Sequence, residues 1–584
     1  MKTILGSLYH NFALGNKMHM LWCAGVLLIM LMLAILHHKW RNDDKKLRIW
    51  RVLCVLPLMV CAVHAVLTLG GIPFWMDLLP AFISMYAIAL FALLMIPFAK
   101  RKIGYPIMAT LVGILTVLCG FYSLAQAPNL KNAARESYTD SFRSLVAFMD
   151  EKYVLKEWKE IDFPALEAKY LPLVQEAEQA NDPSKFEEAV IKFCNELHDG
   201  HVSVSAVYDH DIYSNSAFRQ YEYGLAMVKL DNGDVIAVCT DEKVHDLGIQ
   251  DGTKITKWNG KPVLQAAAED VAAMSVPVQT NIDFLAVMNL SNLGGNDVEV
   301  SFIDESGAEK TVTLHTMGER HTLNEAFKAF NQGPIITTNE EYEAFFKENF
   351  TTRMLNDKCG YLKLIAEDTG NGVQDIIGYL RGNHTWAREK FREKLNDLKS
   401  QGMEYLVVDL RNNMGGMDEI GCALCDLLTT EDWYGQGLGI RKNGKYTCVS
   451  DHGIHGTGEF ADLQVVALTN YNCVSAGDGT SLYLSKLPNV TLAGITDPCG
   501  CNQETGGYCV LSKGCVSVSF PTGLILNEDG EPNVDTRADL ITRNPVEVRI
   551  PFDYDAAMRI FHDKQDYELD WAINYLEQNA ASAK

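Results

Sequence analysis

Hydrophobic residues are distributed very unevenly along this chain, and that constrains its fold more than any other feature. Met20–Leu36 is almost unbroken: MLWCAGVLLIMLMLAIL. Three more apolar runs follow at 52–69, 78–99 and 103–125. Each is long enough to cross a bilayer as a helix, since about 20 apolar residues suffice. The second run is the weakest, because it contains Pro57 and His64. One signal peptide would account for the first run alone. Four runs with short links predict a membrane region of four transmembrane helices over 1–126.

The links set an expected orientation. HKWRNDDKKLRIWR (38–51) holds six Lys or Arg against two Asp, KRK (100–102) holds three, and GGIPFWMD (70–77) holds none. Basic links stay on the cytoplasmic side. This pattern predicts a multi-pass protein of the cell membrane with everything beyond about residue 126 extracytoplasmic. The membrane is then an expected partner. The spans hold no central Asp, Glu, Lys or Arg to line an ion path, so an anchor is a simpler reading than a transporter or sensor.

At 584 residues the chain is too long for one core, and its net charge of -23 argues against nucleic acid as a partner. Eleven of the 15 cysteines lie beyond residue 126, four of them in CGCNQETGGYCVLSKGC (499–515). An extracytoplasmic address predicts at least one disulfide in that stretch. The pairs Cys422/Cys425 and Cys499/Cys501 do not complete a zinc-finger spacing, so no metal site is expected.

Residues 138–205 read as a small helical bundle with apolar spacing of three and four, ending in Asp199-Gly200-His201. Residues 222–315 read as short strands with Gly, Asp and Asn turns. In 340–584 strands alternate with helices: CGYLKLIA, WAREKFREKLNDLKSQG, EYLVVDLRNNMGG, DEIGCALCDLLT, LQVVALTN, then a small-residue corner, SLYLSKL and VTLAGIT. This alternation predicts an α/β layer with a largely parallel sheet. Two glycine corners, at 415–416 and 475–479, fall at the C-terminal ends of strands, where open sheets place their sites. Ser475 in the second corner is open to two readings. It is an ordinary N-cap, or it is a nucleophile held proud of the sheet beside free N–H groups.

These blocks, in this order, resemble the carboxy-terminal processing peptidases and their tricorn-like relatives, family S41. NELHDGHVSV, VHDLGIQDGTKITKWNGKPV, CGYLKLIA, VVDLRNNMGG, NCVSAGD, VTLAGIT and DGEPNVDTRADLITRNPVE carry the resemblance over about 138–584. It implies a PDZ-like module at 222–315 and a serine peptidase core at 340–584. With the membrane region and bundle, the expected fold is α/β in four parts. Ser475 matches the nucleophile, Gly415 and Gly416 the oxyanion turn, and Ala476 a second N–H donor. Gly224 and Leu225 sit where a PDZ module receives a peptide end.

The resemblance has one gap. The lysine base of the Ser–Lys branch has no counterpart at Gly500, and Lys513 is the nearest one downstream. The tricorn-like branch uses a histidine instead, which here is His201. A carboxylate near the C-terminal strand would orient it, with Glu531 the first choice and Asp535 nearby. Asp478 is expected to be structural, and His198 to be a helix-terminal cation. The implied function is a membrane-anchored serine endopeptidase that needs no cofactor and acts on extracytoplasmic proteins or peptides. The alternative is an inactive peptidase scaffold that binds peptides or protein tails.

Overall fold

The computed structural model describes residues 17–68, 89–90, 92–93, 96–98, 130–134, 136–206, 222–269, 276–291, 297–317, 321–333, 344–371, 373–374, 377–378 and 384–582. Three six-stranded sheets organise them.

The four-span anchor does not hold. Among the described residues no helix is long and apolar enough to cross a membrane. The first run lies in the helix Lys17–Trp40. The basic link after it is itself a helix, Asp44–Leu53, capped by Asp43, whose carboxylate accepts the Lys45 and Lys46 N–H groups. Its face carrying Leu47 and Trp50 packs with Cys54 against Leu33 and Ala92. The Trp50 indole N–H donates to the Leu33 carbonyl at 2.7 Å. The second run is split between that helix and Leu56–Thr68. The run 103–125 and most of 78–99 lie outside the described residues. The membrane partner, the multi-pass address and the anchored form of the function fall with the anchor.

The expected largely parallel sheet is also corrected, because the sheets are mixed. In the first sheet of the core, Tyr405–Asp409 lies parallel between Cys359–Lys363 and Gln464–Leu468. Val490–Gly494 and Val548–Arg549 continue it in parallel, and Thr351–Met354 closes one edge antiparallel. The second sheet is built mostly from hairpins. Asp432–Lys442 pairs antiparallel with Lys445–His455, and Gln503–Val510 with Val516–Leu526. Short connections permit only antiparallel pairing, because a parallel return needs a crossover of a dozen residues or more. Ser203–Ala206, just after His201, pairs with Val516–Leu526 and so joins the bundle to this sheet.

The segment 222–315 forms the third sheet, antiparallel throughout. It shares a core with the rest of the chain beyond residue 320. Ala226, Val228, Ile236 and Val238 pack with Phe330, Ile550, Phe552 and Phe561 in one cluster. The strand Ala226–Lys229 ends the sheet and pairs with Val235–Val238 on one side.

The strand Tyr405–Asp409 ends in a buried ion network. Arg411 Nε and Nη2 donate to the two Asp409 oxygens at 2.9 and 2.7 Å. Its Nη1 reaches Asp566 at 2.7 Å and Glu568 at 3.2 Å. The Tyr361 hydroxyl donates to Asp409 at 2.8 Å. Removing one partner of a buried pair strands the rest, at a cost of about 3–5 kcal/mol. Arg411→Ala should therefore lower the free energy of unfolding by about that amount in urea titrations. A loss under about 1 kcal/mol would mean the network is solvated and dispensable.

Candidate active site

The two glycine corners meet. Residues Tyr405 through Asp409 run in register with Gln464 through Leu468, so the turns that follow leave the sheet side by side. One turn leads into the helix Asp418–Leu428, the other into Ala476–Ser485.

Ser475 stands at the N-cap of its helix, but its side chain makes no capping hydrogen bond. Its backbone is at φ 58 and ψ -133. A residue with a Cβ holds such a conformation only when its surroundings impose it, at roughly 1–3 kcal/mol. Three contacts do so here. The Ser475 N–H donates to the Cys501 carbonyl at 2.9 Å, Val474 N–H to Asn413 O at 2.8 Å, and Gly479 N–H to Ser475 O at 3.1 Å. Gly415 closes against the corner: a Cβ there would lie 2.5 Å from the Ser475 Cβ.

The donors around Ser475 divide clearly. The Gly415 N–H is taken by Asn413 Oδ1 at 2.9 Å. Among the described residues, the N–H groups of Gly416 and Ala476 have no acceptor. Ala476 opens its helix, where the first N–H groups lack intrahelical partners. Gly416 is exposed, at φ 145, which only glycine adopts readily.

His201 lies at the end of the bundle, partly buried, its N–H donating to Asp199 Oδ1 at 2.8 Å. Cys501, Asp199 and Gln503 face its ring. Burial opposes charge on the imidazole, but Cys501 and Asp199 favour it, and the net direction is upward. Cys501 therefore touches Ser475 through its carbonyl and His201 through its side chain. No hydrogen bond joins the Ser475 hydroxyl to the ring among the described residues.

Glu531 is not brought to His201. Its carboxylate is exposed and pairs with Arg537 and Arg543, each at 3.4 Å. The group behind the ring is Gln503, whose Nε2 donates to Asp535. Among the described residues, His201 Nδ1 and Gln503 Oε1 are both buried without a hydrogen-bond partner. Asp535 is fully buried, and burial with nearby Asp199 pushes its pKa well up, against the pull of Lys159. Lys159 itself is buried and donates to His198 O and Thr536 Oγ1.

His198 is not the expected cation, since burial and Lys159 lower its pKa. Lys513 is turned away, with Nζ on Asn181 Oδ1 at 2.9 Å. Asp478 is fully buried and accepts the Gly500 and Cys501 N–H groups at 2.6 and 3.1 Å, tying the Ser475 helix to the Cys501 loop. Burial lifts its pKa to about 7. Gly224 accepts the Asp241 N–H through its carbonyl, and Leu225 is fully buried.

Sequence reading assigns no role to Asp199, which it names only as part of a motif, or to Gln503, Lys159, Asn413 and Glu367. Gln503 and Asn413 stand within quoted blocks, but an amide gives no charge signal. Lys159 and Glu367 lie outside the motifs.

The expected disulfide is absent, because Cys499, Cys501, Cys509 and Cys515 are all free thiols. Cys501 Sγ donates to Cys499 Sγ at 3.3 Å, and Cys515 Sγ to Ser512 O at 2.9 Å. Among the described residues no cluster of three His, Cys, Asp or Glu is arranged to hold a metal.

The pattern of peptidase family S41 matches residues 376–531, which contain both glycine corners. That segment of the chain is similar to the S41 peptidases, and it is the segment that carries the paired corners. No curated protein matches the sequence. Among solved structures, mature CPAF complexed with lactacystin is 13% identical, with 76% of this chain and 97% of that chain covered and a TM-score of 0.48. The photosystem II D1 C-terminal processing protease is 17% identical over 74% and 98%, with a TM-score of 0.33. The tricorn protease is 14% identical over 76% of this chain and 37% of its own, with a TM-score of 0.31.

Free thiols beside His201 can be checked directly. Protein unfolded without reductant and alkylated should carry the label on Cys499, Cys501, Cys509 and Cys515. A cross-linked peptide from 499–515 would contradict this arrangement.

Proposed function

We propose that this protein is a serine endopeptidase acting on proteins or peptides through an acyl-enzyme. Ser475 is the nucleophile, His201 the general base, and the N–H groups of Gly416 and Ala476 form the oxyanion hole. The observation that carries the reading is the Ser475 corner. A strained, uncapped serine stands against Gly415 with two unengaged N–H donors beside it.

The chemistry follows from the groups present. The Ser475 hydroxyl attacks the substrate carbonyl carbon as His201 takes its proton. Negative charge collects on the carbonyl oxygen, where fixed donors are worth most. His201 then passes the proton to the leaving amine, and water releases the acyl group by the same steps in reverse order of partners. The ring must turn from Cys501 toward the hydroxyl for the first transfer. Gln503, held by Asp535, is the orienting group behind it in place of Glu531. Gly415 has a packing role, since its own N–H is already bonded to Asn413. A substrate tail would add as a strand to Ala226–Lys229, entering beside Gly224 and Leu225.

A fluorophosphonate label tests the nucleophile. It should attach to Ser475, disappear in Ser475→Ala, and fall at least tenfold in His201→Ala. Labelling that persists in Ser475→Ala would move the nucleophile elsewhere, and no labelling of the wild type would leave the fold a binding scaffold.

The pH profile tests the base. A raised His201 pKa means the ring is protonated and idle at low pH. Therefore kcat/KM should climb with an apparent pKa above the ordinary value of 6.5. A midpoint below about 6 would exclude His201 in this environment.

A further inference from the structure

Glu367 follows CGYLKLIA and lies under the Gly415–Gly416 turn. Its backbone clamps the turn on both sides. The Glu367 N–H donates to Gly415 O at 2.9 Å, and the Met417 N–H donates to Glu367 O at 3.0 Å. A Cβ on Gly416 would run into the Glu367 carbonyl, so no other residue fits that position. The side chain adds a second tie. Oε1 accepts Asn413 Nδ2 at 3.2 Å and the Thr480 hydroxyl at 2.8 Å. Asn413 holds the Gly415 N–H with its other amide atom, and Thr480 lies on the Ser475 helix.

We propose that Glu367 is a positioning residue, bracing Asn413 and Thr480 so that the Gly416 N–H is aimed beside Ser475. The inference rests on the peptidase reading for its activity arm. It goes beyond that reading by assigning the catalytic geometry to a carboxyl group that touches no substrate.

The surroundings of the brace favour the acid form, although the Thr480 and Asn413 hydrogen bonds pull the other way. Glu367 is buried, and its Oε2 has no hydrogen-bond partner among the described residues. Both contacts to Oε1 come from neutral donors. The titratable groups facing it are Asp418 and Cys425 on the helix Asp418–Leu428, and Cys473 in the turn before Ser475. None is a cation: Asp418 repels a second negative charge, and burial holds both thiols protonated. Burial first, then Asp418, lift the Glu367 pKa to about 8. A neutral glutamic acid matches glutamine in shape and in its accepting oxygen. Glutamine should therefore substitute for it, and alanine should not.

The test uses the full chain with E367Q and E367A, reading peptide hydrolysis and thermal midpoint across pH. E367A should lose at least about tenfold in kcat with KM within about twofold, because a misaimed oxyanion donor acts on the transition state. E367Q should retain kcat within about threefold. It should also lack the wild type's decline above about pH 8, where Glu367 ionises. Equal loss in both variants, or an alkaline decline that persists in E367Q, would overturn the proposal.

The thermal arm stands even if no hydrolysis is found. A folded-state pKa raised to about 8 means the folded chain keeps a proton that the unfolded chain releases above the usual value of 4.5. The midpoint of E367Q should therefore gain on that of the wild type between these two pH values and stay level above them. A gap that does not change with pH would show that Glu367 is not held as the acid and would overturn the pH-dependent arm of the proposal. Absence of fluorophosphonate labelling with the widening gap intact would sink the peptidase reading alone.

Discussion

The Arg411 guanidinium is the point on which the candidate site depends. It is fully buried between Asp409 of its own turn and Asp566 and Glu568 at the start of the C-terminal helix. A planar cation with five fixed donors can satisfy several carboxylates from different directions, which lysine cannot. Here it fixes where the strand Tyr405–Asp409 stops. Asn412 can then adopt φ 62, its N–H on Asn470 Oδ1 of the neighbouring turn. The two turns are joined before either reaches its glycines or its serine. Glu568 extends the same tie to the next strand by accepting the Ile495 N–H. Three adjacent strand ends are thus locked to one helix, and Ser475 inherits its position from them.

The second dependence is between the 222–315 module and the Cys501 loop. The helix Gln279–Leu290 reaches that loop directly: Asn281 Nδ2 donates to the Asp497 and Pro498 carbonyls at 3.0 and 2.9 Å. Thr280 donates to Asp497, and Thr536 Oγ1 to the Pro277 carbonyl. A Cβ on Gly500 would strike Val278. The module therefore helps to shape the segment that holds Ser475 N–H and faces His201. With a shared apolar core behind it, its position and that of the loop are coupled through packed contacts rather than through a free linker.

Much of this was legible in the chain because short-range physics wrote it there. Alternating apolar strands and amphipathic helices gave the α/β layer, and VVDLRNNMGG and NCVSAGD marked the corners that do meet. The failures have physical reasons too. Apolar length says that a segment must be hidden from water but not by what. The run Met20–Leu36 reads as a span in isolation, yet part of its surface is covered by Trp50 and Leu47 of a link that charge counting had placed in solvent. The disulfide followed from the anchor and fell with it. Glu531 was chosen by nearness to a motif, whereas Arg537 and Arg543 claim its carboxylate.

The sequence by itself determined which residues could do chemistry and on which strand ends they sit, because strand period, helix period and glycine turns are local properties. It could not determine partners. Gln503 reaches His201 across 302 positions of chain, and Glu367 reaches Thr480 across 113. Only the tertiary structure decided that Gly415 spends its N–H on Asn413, leaving Gly416 and Ala476 as the open donors. Only it decided that a buried carboxyl group, with no cation facing it among the described residues, stands beneath them. Hydrogen bonds and desolvation act through space, and the chain's order does not record which distant groups will share one dry pocket.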